Sequence, residues 1–89
     1  MKATSYFCTG SAESKTVDLS NCVISDYRGF KIAHAVSSYM LIMNGVIVTE
    51  TVGKKGNTDL ADAIIRKEML NRAPKEIAYD YEFKLIGYK

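Results

Sequence analysis

The most legible stretch of the chain is Ser37 to Val52, SSYMLIMNGVIVTETV, two largely apolar runs on either side of one polar break. Asn44-Gly45 divides it and predicts a two-residue hairpin turn, because both central positions of a type I′ turn need a positive φ, which Asn and Gly tolerate. Closing the hairpin there sets Met43 opposite Val46, Leu41 opposite Val48 and Tyr39 opposite Glu50 on one face. On the other face Ile42 meets Ile47, Met40 meets Thr49, and Ser38 meets Thr51. Both faces are apolar near the turn, so both need a cover.

Upstream, Met1 to Cys8 reads as a first strand, Thr9 to Ser14 as a polar loop and Lys15 to Leu19 as a short strand. Cys22 to Ser25 is apolar and Asp26 to Gly29 forms a turn. Phe30 to Val36 alternates with Phe30, Ile32, His34 and Val36 on one face; the spacing of Ile32, Val36 and Met40 also suits a helix, and the turn before it decides for a strand. Downstream, Gly53 to Asn57 is a loop and a helix is expected over about 59–72. Asn57 or Thr58 is placed to cap it, Asp59 and Asp62 lie at its start, and Arg66, Lys67 and Arg72 toward its end, an order that suits the helix dipole. Asp62 and Arg66 are spaced for an i, i+4 pair. Leu60, Ala61, Ile64, Ile65 and Met69 form its apolar stripe, with Glu68 inside that stripe. Pro74 is expected to stop the helix. Ile77, Tyr79, Tyr81, Phe83 and Leu85 then alternate with Ala78, Asp80, Glu82 and Lys84, which predicts a half-buried closing strand with its aromatic row toward the helix.

The predicted fold is α+β: a mainly antiparallel, twisted sheet of about five to six strands, with one helix inserted before the last strand and packed on one face. Length sharpens this. At 89 residues the chain is expected to be one domain, 1–89, and its 47% hydrophobic and 25% charged composition is that of a folded protein. A net charge of +2, spread along the chain, excludes an acidic nucleic-acid mimic and leaves no strong basic footprint. No apolar run approaches the roughly 20 residues of a membrane-spanning helix. Met1 to Gly10 has no apolar signal region, so a cytoplasmic protein is expected. Cys8 and Cys22 lack a CxxC pairing and, with the single His34, do not make a four-ligand zinc site; reduced, part-buried thiols are expected, with no metal and no cofactor.

Candidate chemistry is sparse. Gly53 to Thr58, GKKGNT, sets Lys54 and Lys55 between glycines near a helix start, where free N–H groups attract anions. Its lysines precede the second glycine, unlike a P-loop, and the plainer reading is a solvated connection with Asn57 as cap. Arg28 and Lys31 beside the 26–29 turn, with Tyr27, could meet RNA or a protein partner. His34 could act as a base, but its apolar neighbours favour a structural role, and no catalytic residue is assigned. The expected function is therefore non-enzymatic binding, as an inhibitor or modulator of a larger macromolecule. Small size and the lack of motifs would suit a phage or mobile-element origin. The alternative is a small RNA- or single-strand-binding module using Lys54, Lys55, Asn57, Arg28 and Lys31, and the third reading is a small enzyme centred on His34.

The hairpin's second face returns in this context. Met40, Ile42 and Ile47 together are worth several kcal/mol of burial, at roughly 1.5–3 kcal/mol each. Either the meander curls over them or another chain does. The interface expected there, in a homodimer or with the target, includes Met40, Ile42, Ile47 and Tyr27.

Overall fold

The computed structural model describes residues 1–7, 14–36, 38–50 and 53–87, with backbone alone for residues 68 and 81–87. Six strands come first: β1 (Lys2–Ser5), β2 (Lys15–Asp18), β3 (Val23–Tyr27), β4 (Phe30–His34), β5 (Tyr39–Met43) and β6 (Val46–Thr49). Helix α1 (Lys54–Arg66), a 3-10 turn (Glu68–Asn71) and helix α2 (Pro74–Gly87) follow. The α+β class holds. The sheet is mixed, in the order β2-β1-β6-β5-β4-β3, with β1 and β6 parallel and all other neighbours antiparallel.

Two tight turns set the register of the meander. Asn44 (φ 50°) and Gly45 (φ 79°) close β5 on β6 as the sequence predicts, with Met43 opposite Val46 and Ile42 opposite Ile47. Arg28 (φ 51°) and Gly29 (φ 90°) close β3 on β4 in the same way. Farther from the Asn-Gly turn the register shifts. Leu41 pairs with Thr49 rather than Val48, so a bulge replaces the uninterrupted ladder expected there.

The strands at the two ends of the sheet, β2 and β3, are consecutive in the chain. Only Leu19 to Cys22 separates them, and that segment turns tightly, with the Cys22 N–H donating to the Leu19 carbonyl at 3.0 Å. Five chain steps from Asp18 to Val23 reach at most roughly 18 Å. The outer strands of a flat six-stranded sheet lie five spacings of about 4.8 Å apart, or about 24 Å. The sheet must therefore curl until its edges approach. All six strands feed one cluster inside that curl: Ala3, Ala33, Met40, Ile42 and Ile47, with Val17 and Ile24 from the outer strands packed against it. Leu19, 1% exposed, fills the gap at the seam, and its N–H donates to the Met1 carbonyl at 2.7 Å.

The second cover is thus the sheet itself. Met40, Ile42 and Ile47 are 9%, 1% and 0% exposed within this one chain. The interface expected on them is corrected: these side chains are already spent on the inner core.

The outer face carries the helices. Phe30, Ile32, Leu41 and Val48 pack there against Leu60, Ala61, Ile64 and Ile77. Helix α1 begins at Lys54, not 59, and ends at Arg66; the expected extension to 72 is a separate 3-10 turn. Neither Asn57 nor Thr58 caps it. Gly53 takes that position without a side-chain bond, buried Asn57 donates to the Gly53 carbonyl (3.1 Å), and Thr58 donates to the Lys55 carbonyl (2.9 Å). Lysines rather than acids occupy the first turn, against the dipole, and Lys55 pairs with Asp59 at 2.8 Å.

The expected closing strand is helix α2. Pro74 does not end a helix there but begins one, at the first position, where its missing N–H costs nothing. Arg72 pairs with Glu76 at 3.6 Å and with Asp80. Residues 72, 76 and 80 follow each other at helical spacing, so the pairs form only if the segment coils. Ile77 and Ala78 are buried side by side, which strict alternation forbids. Tyr79 meets Tyr6 with ring centroids 5.7 Å apart.

Two substitutions test the curl. Leu19→Ala should cost about 2–5 kcal/mol in urea denaturation, as expected for a cavity in a closed core. Ile42→Lys with Ile47→Lys should abolish the cooperative melting transition; a folded double variant would show that this face is open.

Candidate functional site

The residues expected to bind nucleic acid are mostly engaged within the chain. Arg28 Nη1 lies 2.7 Å from Asp62 Oδ1, and the Tyr27 hydroxyl donates to the same carboxylate at 3.0 and 3.1 Å. This cluster fastens the β3–β4 turn to α1. It also replaces the expected Asp62–Arg66 pair and turns the Tyr27 hydroxyl away from an interface. Lys31 is paired with Asp26, and Lys55 with Asp59. Asn57 is buried under the first turn of α1. Lys54 is exposed at that turn. The Gly53–Thr58 segment is thus the first turn of a helix rather than a loop in front of one. Thr51 and Val52, which precede it, and Cys8 lie outside the described residues, as does the Glu68 side chain.

The hydrogen bond from Arg28 holds the Asp62 carboxyl below the usual carboxylate range, opposed by partial burial and assisted by the Tyr27 hydroxyl. The same carboxylate pushes the Tyr27 phenol up. Both directions describe a docking contact that is strongest with Asp62 ionised and Tyr27 neutral.

His34 is not brought against a nucleophile. Its ring stacks on Tyr39 across the β4–β5 pair, with centroids 4.0 Å apart and planes within 3°. Among the described residues no ion pair involves His34, and no group of three or more His, Cys, Asp or Glu could hold a metal. Cys22 is a free, half-buried thiol against the inner core.

The stack belongs to a surface that sequence reasoning missed. Val23 is opposite His34, and His34 opposite Tyr39, so the three form one row across β3, β4 and β5. Ile32 and Leu41 stand in the next row on the same face and are buried in the cluster that α1 covers. In the row of Val23, His34 and Tyr39, Tyr39 is half-buried against that cluster, while Val23 and His34 are exposed. Val23 is 70% exposed, and Val36, on the turn at the same end of the strands, is fully exposed. The Ala35 N–H donates to the Ser38 carbonyl at 2.9 Å and tightens that turn. Only knowledge of where α1 crosses the sheet separates the covered rows from the open one.

No family model, curated protein or solved structure matched this chain. Function must be read from the surfaces alone. An open depression of about 770 Å³ lies at the end of α1 and the 3-10 turn, lined among the described residues by Arg66, Lys67, Met69, Asn71 and Arg72. Among the described residues, no helix is long and apolar enough to cross a membrane.

The Tyr27–Arg28–Asp62 contact gives a pH prediction. A depressed carboxyl pKa contributes stability above its unfolded value, near pH 4, and loses it as pH falls through the folded value. Asp62→Asn should therefore melt below wild type at pH 7, and the difference should shrink as pH drops below about 4. The raised Tyr27 phenol works in the opposite sense, its contribution being lost above about pH 10. Parallel melting curves of the two proteins across pH check both signs.

Proposed function

We propose that this chain works by binding rather than by chemistry of its own, as a small inhibitor or modulator whose contact surface is the open end of the sheet. The observation that carries the reading is the row of Val23, His34 and Tyr39 with Val36 beside it. Apolar side chains exposed together at one end of a rigid sheet are the usual mark of a contact surface. The stacked His34–Tyr39 pair adds a preordered aromatic plate, which loses little side-chain freedom on contact. The partner is a protein, either a target or a second copy.

The nucleic-acid alternative draws less support, because Arg28, Lys31 and Lys55 spend their charge on Asp62, Asp26 and Asp59. A phosphate would have to compete with each of these carboxylates.

Immobilised wild type and Val23→Asp/Val36→Asp should be compared for capture from cell lysate, with and without nuclease. The expected result is a protein retained by wild type in both conditions and lost by the variant at an unchanged melting temperature. Retention that disappears with nuclease, and with Lys54→Glu/Lys55→Glu, would replace this reading with the nucleic-acid one. Light scattering over a concentration series identifies the second-copy case.

A further inference from the structure

The outer edge of β3 carries backbone groups that the sheet does not use. β3 ends the sheet and pairs on one side only, with β4. Among the described residues no second strand or helix runs along it. The two-residue turn at Arg28-Gly29 makes Tyr27 and Phe30 a hydrogen-bonded closing pair, and bonded and non-bonded pairs alternate from there. Tyr27, Ser25 and Val23 therefore bond to β4, while Ile24 and Asp26 turn their N–H and C=O groups outward. Ser25 is exposed and the Asp26 side chain is 76% exposed, so this edge is open.

The other edge, β2, carries a charge at each end, Lys15 and Asp18, a common protection against pairing with another chain. β3 holds no lysine and no proline, and its single charge, Asp26, is answered by Lys31 of β4. Outward backbone groups at strand spacing are matched by another extended backbone.

A second copy of β3, run antiparallel about a two-fold axis, supplies that backbone in one favourable register. Centred on Asp26, the pair would set like charges opposite each other. Centred on Ile24, it would bring Asp26 against Cys22, whose N–H is already given to the Leu19 carbonyl. Centred on Ser25, Ile24 exchanges both of its outward bonds with the partner's Asp26, and Asp26 does the same with the partner's Ile24. That register sets Val23 opposite the partner's Tyr27 on the outer face. Val23, 70% exposed in the single chain, then has an aromatic ring beside it. The row of Tyr39, His34 and Val23 runs on into the partner's Tyr27, and its two-fold copy runs back.

We propose that β3 is the pairing edge of a homodimer, in which the β3 strands of two copies join antiparallel about a two-fold axis at Ser25. This rests on the reading of the sheet end as a protein contact surface, and it names the partner as a second copy. The same edge meets itself, as a two-fold interface requires. The contact is small, so a reversible, concentration-dependent dimer is expected.

The test is sedimentation of the whole chain over a concentration series. Wild type should pass from monomer to dimer. Asp26→Pro removes an outward N–H and leaves the bonds to β4 in place, a position at which an edge strand accepts proline. It should raise the dissociation constant by about tenfold or more, because the two-fold loses the bond twice. Asp26→Ala, which keeps the N–H, should still dimerise. Should Asp26→Pro fail to fold, a crosslink carries the comparison. Ser25 faces its own copy as a non-bonded pair with Cα atoms about 4.5 Å apart, within disulfide reach. In a Cys8→Ser/Cys22→Ser background, Ser25→Cys should form a disulfide-linked dimer with oxidised glutathione, and Thr16→Cys on β2 should not. A wild type monomeric at every concentration, a dimer indifferent to Asp26→Pro, or a dimer that Ser25→Cys does not link would each overturn the proposal. A monomer that still captures a lysate protein through Val23 and Val36 would overturn it and leave the binding reading standing. A dimer that captures nothing would uphold it and remove the foreign target.

Discussion

The four-residue link from β2 to β3 constrains everything else in this molecule. It joins the first and last strands of a six-stranded sheet across a distance that a flat sheet cannot offer. The sheet responds by curling, and the curl gives it two unlike faces. The inside is closed by the sheet's own side chains, with Leu19 at the seam. The outside is closed by α1 and α2. One small chain thereby builds two cores from six short strands, and each strand between the edges can be apolar on both sides.

The outer layer is placed by a polar contact as much as by burial. Leu60, Ala61 and Ile64 give α1 its apolar stripe, and the Tyr27–Arg28–Asp62 cluster fixes the helix over the β3–β4 turn. A helix fixed at that end covers Phe30, Ile32 and Leu41, with Tyr39 half-buried at the edge of the cluster and Val23 and His34 exposed. The exposed end of the sheet therefore follows from how α1 is anchored. Val23 and Val36 are no more apolar than their buried neighbours; they lie beyond the helix.

Charge placement follows a similar economy. Arg28, Lys31 and Lys55 are each matched by a carboxylate of the same chain, which holds a turn or a helix start in place. Exposed pairs of this kind contribute little stability individually. Their larger effect is on recognition, because a cation already facing a carboxylate is a poor phosphate ligand. Among the described residues Lys54 at the start of α1 and Arg66 and Lys67 at its end form no ion pair.

Local sequence determined the elements whose physics is local. Asn44-Gly45 favours a tight turn because both residues tolerate the positive φ needed there, Gly29 does the same after Asp26, and the alternation of Phe30–His34 and the continuous apolar run Tyr39–Met43 both suit strands. The stripe of Leu60, Ala61 and Ile64 makes a helix for the same reason. Residues 77–85 show where that reasoning stops. Their alternation fits a strand, but Pro74 at a helix start and the Arg72–Glu76–Asp80 ladder fit a helix, and β6 supplies the surface on which Ile77 and Ala78 bury together. Only the tertiary structure decided between them, because both patterns are present and burial selects one. It also decided that Met40, Ile42 and Ile47 face inward. Their pattern says they need a cover, but a cover made by the far edges of the same sheet depends on strand order, and strand order is a long-range property that no short window of sequence contains.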